Sequence, residues 1–303
     1  MFEYIKNMLS VLPPIMDGQS RKPAPLHLFE VNEEAVKLNE AEAQFCQHYV
    51  AKLLFLCKRA RPDIQTAVAF LSTRVLSPDV GDYKKLAHTM RYLRGTLELM
   101  LTLQADDLSK MKWWVDASFA VDPNMRRHTG VLLSMGVRAI YRSSTKQKLN
   151  TRSSTEAELV GVNDALPQVL WIRQFLGEQG FRDTDPVIYQ DNQSAMLLEK
   201  HGRGSSGKRT RHIDVSNYFV KDPIVLKEVR VKYCPTGDML AEYFTKPLQG
   251  GLIVKFHDMI MNSLSDPAWH SAMQNHRSVL RNEWSWSVLT ISWLWFQLVV
   301  VDS

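Results

Sequence analysis

Apolar residues recur at helical spacing through the first hundred positions. Ala35, Leu38, Phe45, Val50, Leu53 and Leu54 predict a helix from Glu33 to Leu56, since residues three and four apart share one helix face. Pro62 marks a restart, and Ile64, Val68, Phe70 and Leu71 predict a second helix over Asp63 to Arg74. Ser77-Pro78-Asp79 reads as a turn. A third amphipathic helix is expected over Asp82 to Met100, with Leu86, Met90, Leu93 and Leu97 inward and Lys84, Lys85, Arg91 and Arg94 on a basic outer face. Prolines at 13, 14, 23 and 25 predict an irregular segment over 1–30. Residues 31–105 therefore read as a small helical module.

The texture changes at Leu101. Lys112 to Asp116 is a short apolar strand ending in an acid, and Thr129 to Met135 and Val137 to Ser143 are two further strands around Gly136, a residue suited to a hairpin turn. A long helix follows over Glu156 to Gly177, burying Leu159, Val162, Leu166, Val169, Leu170, Ile172 and Phe175. Thr155 and Glu158, and also Ser153 and Glu156, have capping-box spacing. Pro186 to Gln190 is a fourth strand, Asn192 to Lys200 a helix, Asp214 to Lys221 helical, Val229 to Tyr233 a fifth strand, and Asp238 to Phe244 the start of a last helix. Three hairpin-linked strands followed by alternating helices and strands predict an α/β domain over 106–262, with a five-stranded mixed sheet flanked by helices.

Composition narrows this picture only a little. Hydrophobic residues make up 45%, enough to bury a core, and a net charge of +5 favours acidic partners weakly. Cys46, Cys57 and Cys234 form no CxxC pair, which argues against a zinc site or a disulfide framework and for a reducing, intracellular compartment. The N-terminus lacks the apolar run of a signal peptide. Residues 263–303 form a Trp-rich tail whose stretch Trp284 to Val301 carries no formal charge over 18 residues, about the minimum for a membrane span. Its Ser, Thr and Gln residues make an apolar, β-prone tail the better reading, so a membrane partner is disfavoured.

Two acids share a grammar. Asp116 and Asp191 each follow an apolar strand and precede small or polar residues. In α/β sheets, functional groups gather at the carboxyl ends of strands. Glu156 and Glu158 open the long helix and place a third carboxylate within reach of the same point. Clustered carboxylates repel one another, and a divalent cation removes that cost. Each acid alone is better read as a turn residue or helix cap; together, in this element order, they read as a metal site.

Several blocks then stand in order: WVDASFA, HTGVLLSMG, STKQKLNTRSSTEAELVGV, VLWIRQFL, IYQDNQSAM, RTRHIDVSNYFV and VKYCPTGDMLAEYFTKPLQG. They closely resemble the ribonuclease H domain of copia-type LTR retrotransposon polyproteins. FCQHYVAKLLFLCKRARPDIQTAVAFL and KKLAHTMRYLRGT resemble the stretch joining reverse transcriptase to that domain. The resemblance spans about residues 20–262 and implies a ribonuclease H-like fold that cleaves the RNA strand of RNA–DNA hybrids with two Mg2+ ions, or Mn2+ in their place. It implies Asp116 and Asp191 as ligands, and Glu158 rather than Glu156 as the ligand between them, because Glu158 directly precedes the apolar run. Glu156 is then a first-turn acid favoured by the helix dipole. The family pattern L-A-D-x-x-T-K reads here as Leu240-Ala241-Glu242-Tyr243-Phe244-Thr245-Lys246, so the fourth ligand, Glu242, is one methylene longer than the family's Asp. That departure puts catalysis in doubt and opens the alternative of a catalytically impaired nucleic-acid-binding remnant. The paired-aspartate turn of a polymerase palm is absent from this sequence, so an upstream reverse transcriptase region is the expected partner in cis.

Lys200, Arg203, Lys208, Arg209 and Arg211 fall within twelve residues among glycines and predict a phosphate-tracking loop. Ser118, Asn192 and Gln193 are further candidates for contacts to nucleic acid. His128 and His212 read as structural, and Trp113, Trp114 and Trp171 as core.

Overall fold

A computed structural model describes residues 1–103, 109–118, 127–136, 139–181, 184–201 and 219–261. The expected basic loop with Arg203, Lys208, Arg209, Arg211 and His212, most of the helix expected over Asp214 to Lys221, and the Trp-rich tail lie outside these described residues.

Four helices build the first hundred residues: α1 Phe2–Ser10, α2 Glu40–Arg59, α3 Gln65–Ser72 and α4 Val80–Gly95. The segment 1–30 is not irregular as expected. The prolines begin only at 13, so α1 forms ahead of them and buries Ile5 and Met8, while Met16, Leu28 and Phe29 pack into the same core. Helix α2 starts seven residues later than its apolar spacing suggested. Asn39 and Glu42 form a complete capping box there, each side chain accepting from the other's backbone N–H. Asp79 and Asp82 cap α4 in the same way. The basic outer face of α4 is broken up: Lys85 is 5% exposed, donates to the Glu30 carbonyl and lies over the Phe70 ring, while Arg91 and Arg94 bind Asp17. Lysine's long apolar stem permits such burial when the ammonium finds an acceptor.

The five-stranded mixed sheet flanked by helices is present. Strands β1 Lys110–Ala117, β2 His128–Ser134 and β3 Ala139–Lys146 pair antiparallel in turn, while β4 Asp185–Gln190 and β5 Arg230–Tyr233 run parallel to β1, in the order β3-β2-β1-β4-β5. Gly136 turns after β2 with φ 145°, a backbone conformation that favours glycine. Helix α5, Ser154–Glu178, lays Val162, Leu166, Val169 and Ile172 against one sheet face, with Trp113, Val115, Val131 and Leu133 beneath. The other face carries Leu132 under Leu240, Tyr243, Phe244 and a helix α8, Gly250–Met261. Helix α6, Gln193–His201, packs on α5, β5 and the short helix α7, Lys221–Val225. Trp113 is core as expected, but Trp171 is 39% exposed and stacks on Phe175 one helical turn away.

The last helix expected over Asp238 to Phe244 is instead two 3-10 turns, Thr236–Asp238 and Leu240–Phe244. Pro247 stands four residues after Tyr243 and has no N–H, so the Tyr243 carbonyl lacks a helical donor.

The helical module and the sheet meet across buried polar contacts. Arg142 on β3 donates to the carbonyls of Cys57 and Lys58, serving the carbonyl-rich end of α2. Asp63 is fully buried, paired with Arg61 at 2.8 Å, and accepts from Tyr92 at 2.6 Å; Tyr92 in turn lies 3.0 Å from His257 on α8.

Candidate metal centre

Parallel pairing of β1 with β4 brings Asp116, near the end of β1, beside Asp191, the first residue after β4. Helix α5 begins across the same sheet end. Ser153 caps it by accepting from the Glu156 N–H, and Glu156 folds back to accept from the Arg152 N–H at 2.6 Å. Glu158, two positions on, points to the aspartates instead. One oxygen each from Asp116, Glu158 and Asp191 lies within 4.8 Å of the others. These three open into a cleft of about 720 Å³ that is also lined by Asn192, Gln193 and Lys246.

Asp116 is 2% and Glu158 4% exposed. Glu158 Oε1 accepts from the Ala117 N–H at 3.1 Å, whereas Oε2 is buried and finds no hydrogen-bond partner among the described residues. Burial pushes the Asp116 carboxyl up to about 6, against the pull of Lys246 and of the Thr245 hydroxyl, with Asp191 and Glu242 adding upward pressure. Burial, and then Asp116, push Glu158 well above the ordinary carboxylate range. Two buried carboxyls and an unsatisfied oxygen fit a divalent cation, which supplies the missing partner and the opposing charge.

Glu242 is buried at the same end of the sheet but is not among the three grouped acids. Its Oε1 accepts from Lys246 Nζ at 2.8 Å, and that ammonium also stands 4.0 Å from Asp116 Oδ2. Thr245 donates its hydroxyl to Asp116 Oδ2. The turn bearing these residues lies directly on Gly130 of β2, where a Cβ would sit 2.5 Å from the Ala241 carbonyl oxygen and 2.8 Å from Thr245 Cγ2. Thr245 and Lys246 were not singled out from the sequence, although they stand in the same motif as Glu242 and only three and four residues after it.

Among the nucleic-acid candidates, Ser118 is buried and bonded to the His128 backbone, and Asn192 accepts from the Ala195 N–H at the start of α6. Gln193 and Lys200 are exposed on α6. His128 is buried against Phe29 of the N-terminal segment, consistent with a structural role. Among the described residues, no helix is long and apolar enough to cross a membrane.

No family model matches the chain. Over 198 residues, 65% of its length, it is 31% identical to the retrovirus-related Pol polyprotein from transposon TNT 1-94 of Nicotiana tabacum. Over 190 residues, 62% of its length, it is 35% identical to that from transposon RE1 of Arabidopsis thaliana. The chain spans only 15% and 13% of these two polyproteins. Among solved structures, a ribonuclease H1 isolated from compost aligns with 45% of this chain and 93% of its own, at 14% identity and a TM-score of 0.31.

Proposed function

We propose that this chain, a relative of retrotransposon Pol polyproteins, contains a ribonuclease H unit over residues 106–262 that cuts the RNA strand of RNA–DNA hybrids. The observation that carries this reading is the convergence of Asp116, Glu158 and Asp191 on one point, with Glu158 Oε2 buried and unpartnered. In this reading residues 31–105 are the connection module, and 1–30 the end of a reverse transcriptase region that is the partner in cis.

Asp116, Glu158 and Asp191 would hold Mg2+, or Mn2+, with Glu242 as the more distant acid. Bound there, the cation supplies Lewis acidity and lowers the pKa of water. The protein's own share is positional. The Ala117 N–H fixes one Glu158 oxygen and leaves the other without a hydrogen-bond partner among the described residues, while Thr245 orients the Asp116 carboxylate. Lys246 is half-exposed in the cleft and places an ammonium where a scissile phosphate would bring negative charge. Gln193 and Lys200 offer exposed polar contacts to the hybrid, and the basic residues Arg203, Lys208, Arg209 and Arg211 extend them by charge.

Incubating the chain with a labelled RNA–DNA hybrid and Mg2+ tests this reading. RNA-strand cleavage that Asp116→Asn abolishes is the expected result; cleavage unchanged by that substitution would refute the site. A second reading has its own observation. The Glu242 carboxylate is engaged by Lys246 and stands apart from the grouped acids, which favours a binding remnant with impaired catalysis. Retained hybrid binding without cleavage would select it.

A further inference from the structure

We propose that Thr66, on α3 of the helical module, is a positioning residue for the carboxylate centre. It acts through the 3-10 turn Leu240–Phe244, which makes the module part of the site. The proposal rests on the reading that Asp116, Glu158 and Asp191 hold a divalent cation.

The starting point is the orphan carbonyl of Tyr243. Pro247 removes the N–H that a continuing helix would aim at it, and a buried carbonyl without a donor is costly. Thr66 Oγ1 supplies the donor at 2.6 Å, from 177 residues earlier in the chain. From the sheet side, Ser144 Oγ donates to the next carbonyl, Phe244, also at 2.6 Å. The Tyr243 hydroxyl returns to the module by donating to the Asp63 carbonyl at 3.2 Å. Thr66, Tyr243 and Ser144 are all buried, so water does not readily replace these donors. Gly130 closes the remaining side by allowing the turn to lie directly on β2.

Two residues beyond Tyr243, the Thr245 hydroxyl reaches Asp116 Oδ2, and one residue further Lys246 reaches Glu242. The path from α3 to the Asp116 carboxylate therefore runs through one hydrogen bond, two residues of constrained backbone and a second hydrogen bond. Without the Thr66 hydroxyl, the Tyr243 carbonyl must turn to find another partner. That rotation moves Thr245 off Asp116 and loosens the geometry in which a cation is held.

Mn2+ titration of the full chain, followed by calorimetry or by paramagnetic resonance of free Mn2+, reads this directly without requiring turnover. Thr66→Val keeps the side-chain shape and removes the hydroxyl. It is expected to weaken Mn2+ affinity roughly three- to tenfold, less than the roughly 10–100-fold contributed by groups bonded directly to a metal ligand. Thr66→Ser restores the hydroxyl and is expected to restore affinity. Ser72→Ala removes another hydroxyl of α3, one that donates to the Val68 carbonyl at 2.7 Å and not to the turn, and is expected to leave affinity unchanged.

Wild-type affinity in Thr66→Val overturns the proposal, as does equal weakening in Ser72→Ala. If Thr66→Val does not fold, Tyr243→Phe cuts the other hydrogen bond between turn and module and carries the same expectation; unaltered affinity there overturns the proposal. If the unmodified chain binds no Mn2+, the metal reading itself fails and this inference fails with it. That result is distinguishable from the case in which only Thr66 is silent.

Discussion

Glu156 and Glu158 stand two residues apart in one sequence block and do different work. Glu156 turns back to the Arg152 N–H before α5, and Glu158 turns forward to the aspartates. The sequence alone left both glutamates open; the preference for Glu158 came from the family resemblance, in which an acid precedes the apolar run. The position of Glu242 was not legible in the sequence: its extra methylene was plain, but only the fold shows its carboxylate held by Lys246. Glu242→Asp retracts that carboxylate from Lys246 and restores the family pattern; it is expected to raise Mg2+-dependent cleavage by up to about tenfold, within the range seen for groups that tune metal ligands. A rate equal to or below that of the unmodified chain would count against Glu242 as the limiting group. Glu199, buried on α6, makes a second prediction. Burial lifts its carboxyl from 4.5 to about 8. The folded state therefore keeps a proton that the unfolded chain releases near pH 4.5. The stability this group contributes is fully present below that pH and is lost as pH rises through about 8. Glu199→Gln should remove this decline, gaining on the order of 5 kcal/mol over the unmodified chain between pH 4.5 and 8. Thermal melts of the two proteins that run parallel across this range would exclude it.

Elements followed the sequence where periodicity was long and departed from it where tertiary contacts took over. Helix α5 and the five strands were legible because their apolar residues repeat at 3.6 or line a covered sheet. The start of α2 was misplaced because an apolar face continues through Ala35 and Leu38, whereas the Asn39–Glu42 box decides where the helix begins. The turn Leu240–Phe244 has helical composition but gives two of its carbonyls to Thr66 and Ser144. Its closeness to β2 yields a sharp test. Gly130→Ala would put a methyl 2.5 Å from a backbone oxygen, a contact that no rotamer change relieves. The expected cost is about 1–3 kcal/mol in chemical denaturation, with loss of metal binding as the turn is pushed outward. A fully stable variant would show the turn to be looser than the structure has it.

At the scale of the whole molecule, the helical module and the sheet share buried polar groups, which apolar packing alone would not require. Burial opposes ionisation of Asp63, yet Arg61 and His257 hold its carboxyl well below the usual carboxylate range. Asp63→Asn leaves the buried Arg61 without its counter-charge and is expected to cost about 3–5 kcal/mol in urea unfolding at neutral pH. Because Tyr92 and His257 join the same network, a single cooperative transition should move as a whole; a shift of less than about 1 kcal/mol would place the pair outside the stabilising core. The sequence by itself determined the five strands, the long helix α5 and the acids Asp116 and Asp191 at strand ends, while the choice of Glu158 and the departure at Glu242 came from the family resemblance. These follow from local spacing, residue chemistry and a motif that can be read along the chain. The tertiary structure decided which carboxylates meet, that Lys246 takes Glu242, and that Thr66 of the module supports the turn beside Asp116. The bonds that hold that turn join groups 100 or more residues apart, whose pairing is set by burial and by carbonyls left without local donors.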